Sequence, residues 1–209
     1  MALRDHSLDE RIIEAARAEF LEKGYRGASL RKIAERAGVT VGAIQTRYAS
    51  KEALFAGLLQ PLLREIEALF QSTRADYDAG AEGDLLAGLK ASMRHESAAI
   101  LRLMFDHYEE AELLLLRSGG SRLERCFDGI VQSKIDESVG FFQRAGIPGI
   151  DEKLLGLLIA AQFDSYRRIV AECPDRERAE HCMHALMTYH FGGWAALFQE
   201  KTKEGEHEV

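Results

Sequence analysis

Residues 29–48 read SLRKIAERAGVTVGAIQTRY, and the spacing inside this stretch decides the fold. Leu30, Ile33, Ala34 and Ala37 recur at the i, i+3, i+4, i+7 interval of an amphipathic helix, with Ser29 in the N-cap position. Gly38 follows, a residue that tolerates positive φ and so ends a helix in a tight turn. Val39 supplies an apolar plug, Thr40 caps a second short helix running to Tyr48, and Ile44 stands six positions beyond the glycine. Two helices that cross steeply over a tight turn need a small residue at the crossing, here Ala34. They also need a buried apolar anchor on the second helix, here Ile44. Together these features predict a helix-turn-helix.

The outer face of the second helix keeps Thr40, Val41, Gly42, Ala43, Gln45, Thr46 and Arg47. Small and polar side chains let a helix approach base edges in the major groove. Ser29 and Thr40 stand at helix N-termini, where hydroxyls and free N–H groups suit phosphate oxygens. Arg31, Arg47 and Lys51 are placed to reach the flanking backbone.

Upstream, Leu8 to Lys23 carries helical spacing through Ile12, Ala15, Ala16 and Phe20, with Ser7 as a cap and Gly24 as a stop. Downstream, Ser50 caps a long helix with Leu54, Leu58, Leu62, Ile66 and Phe70 on one side, mildly kinked at Pro61. Helical patterns continue over 81–105, 109–117, 121–145, 151–172 and 175–201, and Gly146-Ile147-Pro148-Gly149 reads as a linker. No strand pattern appears, so the expected fold class is all-α.

The charge is uneven. Residues 1–51 hold ten Lys/Arg against seven Asp/Glu, a balance of +3, while the other residues hold 17 against 27, or −10. A basic N-terminus can dock on nucleic acid that an acidic body would repel. At 46% hydrophobic and 29% charged, the 209-residue chain is globular rather than disordered. Its three cysteines are odd in number and form no Cys-x-x-Cys pair. That excludes a disulfide framework and fits a reducing, cytoplasmic setting. Met1 to Glu10 has no signal-peptide pattern. Residues 181–199 lack Asp, Glu, Lys and Arg, yet three histidines and Gly192-Gly193 make them too polar for a membrane span.

No phosphate loop or nucleophile elbow is present, and His95-Glu96 lacks the second histidine of a zincin. Neither an enzyme nor a cofactor is expected. His181, Cys182 and His184 lie within one helical turn but read as solvated or interface residues, so no metal site is assigned.

The block Ile12-Ile13-Glu14-Ala15-Ala16, Phe20-Leu21-Glu22-Lys23-Gly24-Tyr25, Leu30 to Thr40, Gly42 and Ser50-Lys51-Glu52-Ala53-Leu54 resembles the tetracycline-repressor (TetR) family of transcriptional regulators. The resemblance covers about the first 55 residues in register. It implies a helix-turn-helix domain over residues 1–50 and a ligand-binding and dimerisation domain over 51–209, about nine helices in all. By position, Arg31, Val41 and Ala43 would face bases, and Ser29, Thr40, Gln45, Arg47 and Lys51 would hold phosphates or nearby base edges. Gln45 stands where the family usually has Tyr, and Thr46 where it has an aromatic or basic residue. Tyr48 takes the place of a buried aromatic.

The family pattern puts the dimer interface in the last two helices, and the residues agree. Leu154 to Ala161 is apolar around most of a helix circumference, more than one core face requires. The expected interface is Leu154, Leu158, Ala161, Met183, Leu186, His190, Trp194 and Leu197. Candidate effector contacts are Met93, Glu96, Ile100, Met104, Tyr108, Phe141, Phe142 and Tyr166, for each of which core packing is the alternative. The function expected is a ligand-responsive repressor, a homodimer released from a palindromic double-stranded DNA operator by a small-molecule effector. The alternative is a helical adaptor or enzyme-like protein that no longer binds DNA.

Overall fold

The computed structural model describes residues 6–79, 85–144 and 151–207, with side chains at 7–72, 87–140 and 151–197. Among these, nine α-helices follow one another: α1 His6–Gly27, α2 Leu30–Ala37, α3 Val41–Gln45, α4 Lys51–Ala79, α5 Leu85–Asp106, α6 Tyr108–Leu116, α7 Cys126–Arg144, α8 Glu152–Glu172 and α9 Arg176–His207. A 3-10 turn, Arg122–Arg125, leads into α7. The fold is all-α. The linker expected at Gly146–Gly149 lies outside the described residues, as do the side chains of Phe141 and Phe142. The chain forms two compact units, one made of Met1–Arg64 with His107–Phe127 and the other of Glu65–Asp106 with Asp128–Val209. The N-terminal unit therefore extends past residue 50 and takes in the start of α4 and all of α6.

In the N-terminal unit each boundary has a local cause. Gly24 leaves helical geometry at φ 66, ψ 167, where the sequence places a stop. Gly38 sits in the left-handed region (φ 64, ψ 39). Val39 N–H donates to the Ala34 carbonyl (3.0 Å) and Gly38 N–H to that of Glu35 (3.2 Å), a Schellman closure of α2. The Thr40 hydroxyl accepts from Ala43 N–H (3.1 Å) to cap α3, and the Ser50 hydroxyl accepts from Ala53 N–H (3.1 Å) to cap α4. Two expected caps differ. The Ser29 hydroxyl makes no capping bond, leaving its carbonyl to accept from Ile33, and Ser7 lies inside α1, which starts at His6. Helix α3 ends at Gln45, short of Tyr48, and just beyond it Arg47 N–H closes a tighter i→i−3 turn on the Ile44 carbonyl (2.9 Å).

The core of this unit is Ile12, Ala16, Phe20, Ile33, Ala34, Ile44, Leu54 and Phe55, all buried. Phe20 meets Phe55 edge-on at 4.8 Å and Tyr25 lies 5.0 Å from Phe55. Burying one such large side chain stabilises by roughly 1.5–3 kcal/mol. Ala34 and Ile44 thus occupy the crossing and anchor positions read from the sequence, while Val39 is only half-buried. Tyr48 packs on α4 at Gly57, where an added Cβ would come within 3.1 Å of its ring.

In the C-terminal unit α9 packs on α5 and α8. Leu155, Ile159, Phe163, Tyr166, Met183, Met187 and Trp194 are buried there. A buried ion pair joins α7 to α5, with Lys134 Nζ 3.0 Å from Glu96 Oε1 and 5.2 Å from the Phe70 ring centroid. Burial holds the Glu96 carboxyl above its usual range, against the pull of Lys134. Among the described residues no helix is long and apolar enough to cross a membrane.

Candidate nucleic-acid interface

Helix α3 presents Gly42, Gln45 and Thr46 as exposed residues, with Thr40 exposed at its N-cap and Val41 and Ala43 half-exposed. The Thr46 hydroxyl donates to the Gly42 carbonyl (2.9 Å), so it is turned onto the helix rather than outward. Gln45 is then the exposed amide on this face, a group that can read adenine bidentately. Arg31 is an exposed cation on the first turn of α2, and Ser29 precedes it with its hydroxyl spared from capping.

Two of the expected phosphate-binding cations are engaged inside the unit. Arg47 Nε donates to Asp9 (2.5 Å), both side chains being mostly covered, which ties α1 to the chain just beyond α3. Lys51 Nζ donates to the carbonyls of Tyr25 (2.8 Å) and Ala28 (3.0 Å) and lies 4.5 Å from the Tyr25 ring centroid. A cation at the end of α1 satisfies carbonyls left open by the helix terminus. Arg47 and Lys51, which the sequence sends to phosphates, thus also hold the scaffold of this unit.

Other basic residues of the first 51 are similarly paired. Lys32 meets Glu35, Arg36 meets Glu22 and Glu19, and Arg17 meets Glu109 and Glu110. Arg11 donates to the Ala37 carbonyl beneath the turn. Most of these acids lie within residues 1–51, so the pairs leave the +3 balance largely standing while few of the described cations, Arg31 among them, stay exposed and unengaged by an acid.

One scaffold contact escaped the sequence reading. The Tyr25 hydroxyl donates to Glu52 Oε2 (2.7 Å), and Glu52 Oε1 accepts from Arg122 N–H (3.1 Å). Burial, followed by the bond to Glu52, pushes the Tyr25 hydroxyl up to about 12. Residues 25, 52 and 122 carry no spacing signal that could have joined them.

Residues 12–58 match the family model described as bacterial regulatory proteins, tetR family. Over those residues the chain is similar to the TetR-family regulators. Solved structures show the same fold over nearly the whole chain. A TetR-like transcriptional regulator from Rhodococcus sp. RHA1 is 20% identical, with 93% of this chain and 99% of that one covered and a TM-score of 0.60. MexZ, a repressor responsible for antibiotic resistance in Pseudomonas aeruginosa, is 20% identical over 89% and 96%, with a TM-score of 0.57. The regulator FadR from Bacillus subtilis, solved with stearoyl-CoA, is 19% identical over 86% and 97%, with a TM-score of 0.51.

The C-terminal unit holds a groove of about 540 Å³ between α5 and α9. Met93, Leu101, Met183 and Met187 form its apolar floor, and Lys90, Arg94, Glu180 and His184 stand at its exposed rim. Of the expected effector contacts, Met93 lines this groove. Glu96 is instead paired with Lys134, Ile100 is buried, and Met104 is half-buried and does not line the groove. Tyr108 belongs to the N-terminal unit. The Tyr166 hydroxyl is taken by Gln162 (2.7 Å) and Met187 (3.7 Å). Lys90 with Arg94, and Met183 with Met187, are i, i+4 pairs that could have signalled the groove, had the pairing of α5 with α9 been known.

The expected dimer residues divide. Leu154 is 42% exposed and Ala161 is exposed, while Leu158, Leu186, His190 and Leu197 are half-buried. Met183 and Trp194, at 2% and 7% exposure, pack within the chain's own C-terminal unit, because α9 turns that face toward α5 and α8. Leu157 (70%) and Tyr189 (76%) are exposed instead. Among the described residues no group of three or more His, Cys, Asp or Glu is placed to hold a metal ion.

Proposed function

We propose that this regulator is a homodimeric repressor that works inside the cell and leaves a palindromic operator when a small molecule binds its C-terminal unit. The carrying observation is the exposed, small-sided α3 with Gln45 outward, set on a unit whose charged side chains are committed to holding that helix in place. Such a helix reads base edges, while Arg31, Ser29 and the Thr40 end of α3 meet phosphates. Residues 1–50 carry this DNA contact and residues 51–209 carry effector and partner binding.

The dimer reading is supported by Leu154 and Leu157 on α8 and Tyr189 on α9, large apolar groups that a soluble monomer rarely leaves together in water. His190 Nε2 is buried without a hydrogen-bond partner among the described residues, as a group awaiting a second subunit would be. A twofold pair of α3 helices would enter successive major grooves about 34–36 Å apart. The effector reading is supported by the α5–α9 groove, whose methionine floor adapts to an irregular apolar body while Lys90 and Arg94 suit an anionic end.

The test is binding to genomic DNA fragments as salt is raised from about 50 to 200 mM, with sequencing of what stays bound. The expected result is enrichment of inverted repeats and a marked fall in affinity. Arg31→Ala lowers the logarithmic salt slope by about one. Absence of DNA retention at low salt overturns the proposal.

A further inference from the structure

Cys173 is the C-cap of α8, its N–H donating to the Ile169 carbonyl (2.9 Å). After Pro174, the Asp175 side chain accepts from Arg178 N–H (2.9 Å), which starts α9 tightly against the end of α8. This turn brings Cys182, well inside α9, back onto Cys173: the two sulfurs are 3.9 Å apart. Both thiols are free, Cys173 buried and Cys182 half-buried. Desolvation, and after it the contact with Cys182, push the Cys173 thiol up, with the Arg178 guanidinium pulling more weakly the other way. The third cysteine, Cys126, belongs to the other compact unit.

We propose that Cys173 and Cys182 are a redox modification site, a dithiol that a peroxide converts into an intramolecular disulfide tying the end of α8 to α9. A disulfide has an S–S length of about 2.05 Å, so the sulfurs must approach by about 2 Å. The Cys182 thiolate, the more accessible, attacks one peroxide oxygen. The O–O bond breaks, the leaving oxygen departs as water or alcohol after taking a proton, and Cys182 becomes a sulfenic acid. The Cys173 thiolate then attacks that sulfur; the S–O bond breaks, hydroxide leaves and is protonated to water, and the S–S bond forms. Two thiols and one peroxide yield one disulfide and two molecules of water or, for an organic peroxide, one of water and one of alcohol. Two electrons pass from the sulfurs to the peroxide. A small dithiol reverses the reaction. The inference does not depend on the DNA or effector readings, since it needs only the α8–α9 junction.

The test treats the full chain with hydrogen peroxide, blocks the remaining thiols with an alkylating agent and maps the peptides by mass. The expected result is loss of two of the three titratable thiols and a Cys173–Cys182 cross-link within one chain. Cys126 stays alkylatable, the extent is unchanged on dilution, and dithiothreitol restores all three thiols. Cys182→Ser forms no cross-link, and Cys173→Ser stops at a sulfenic acid on Cys182 that dimedone traps. A cross-link found only between chains, or peroxide oxidation of Cys126 with the pair left as thiols, overturns the proposal. The wild-type peptide map decides it even if a variant fails to fold.

Discussion

The two units spend charge in opposite ways. In the N-terminal unit cations are fastened to backbone carbonyls or to acids at the unit's own surface: Arg11 on Ala37, Lys51 on Tyr25 and Ala28, Arg47 on Asp9. In the C-terminal unit one cation, Lys134, is buried with its acid Glu96, while Lys90 and Arg94 stay exposed at a groove. The contrast follows from what each must present. A reading helix works when it is fixed and bare, so surrounding charges act as fasteners. On the proposed effector reading, a groove needs charge exposed at its rim, so the unit's structural ion pair is hidden elsewhere.

The comparison breaks most readily at the buried pair. Glu96→Ala combined with Glu137→Ala strips Lys134 of both nearby carboxylates (3.0 and 3.5 Å) in the interior and is expected to cost about 3–5 kcal/mol in urea unfolding. A cost under about 1 kcal/mol would show that water reaches the ammonium, as it does for exposed pairs. On the other side, Ile44→Ala removes the buried anchor of α3 and is expected to cost about 2–5 kcal/mol, with loss of DNA binding by shift assay. If binding survived at full strength, α3 would not need its anchor to be presented.

Gly38→Ala forces a side chain into φ 64 and sets its Cβ 2.9 Å from an Arg11 nitrogen. The backbone alone costs about 1–2 kcal/mol. A double variant with Arg11→Ala is expected to recover the steric part and leave the backbone part, read by thermal unfolding.

The smallest effect is one of pH. The Tyr25 hydroxyl is raised in the folded protein from 10.0 to about 12. Its contribution is therefore complete below pH 10 and lost as pH climbs toward 12. The stability gap between wild type and Tyr25→Phe is expected to close over that interval. A gap that stays constant there would mean the bond to Glu52 is absent in solution.

The turn of residues 34–44 was legible because its demands are local: a small residue, a left-handed glycine, a capping hydroxyl and one buried apolar side chain, each within reach of the next along the chain. The scaffold contacts of Arg47 and Lys51 were not legible because a cation's partner is chosen in space. Asp9 lies 38 positions from Arg47, and the Tyr25 carbonyl 26 from Lys51. Effector candidates were chosen by residue type on apolar faces, and such faces do not say which helix will cover them. The packing of Met183 and Trp194 within their own unit is hidden for the same reason, since only the tertiary structure turns that face of α9 toward α5 and α8.

By itself the sequence determined the helical class, the helix-turn-helix and the outward residues of α3, since hydrogen-bond closure and side-chain period act over a few residues. The tertiary structure alone decided which cations are bound, where a groove opens between α5 and α9, and that Cys173 meets Cys182. Those depend on how helices pack, a sum of many weak contacts between distant segments that no local pattern encodes.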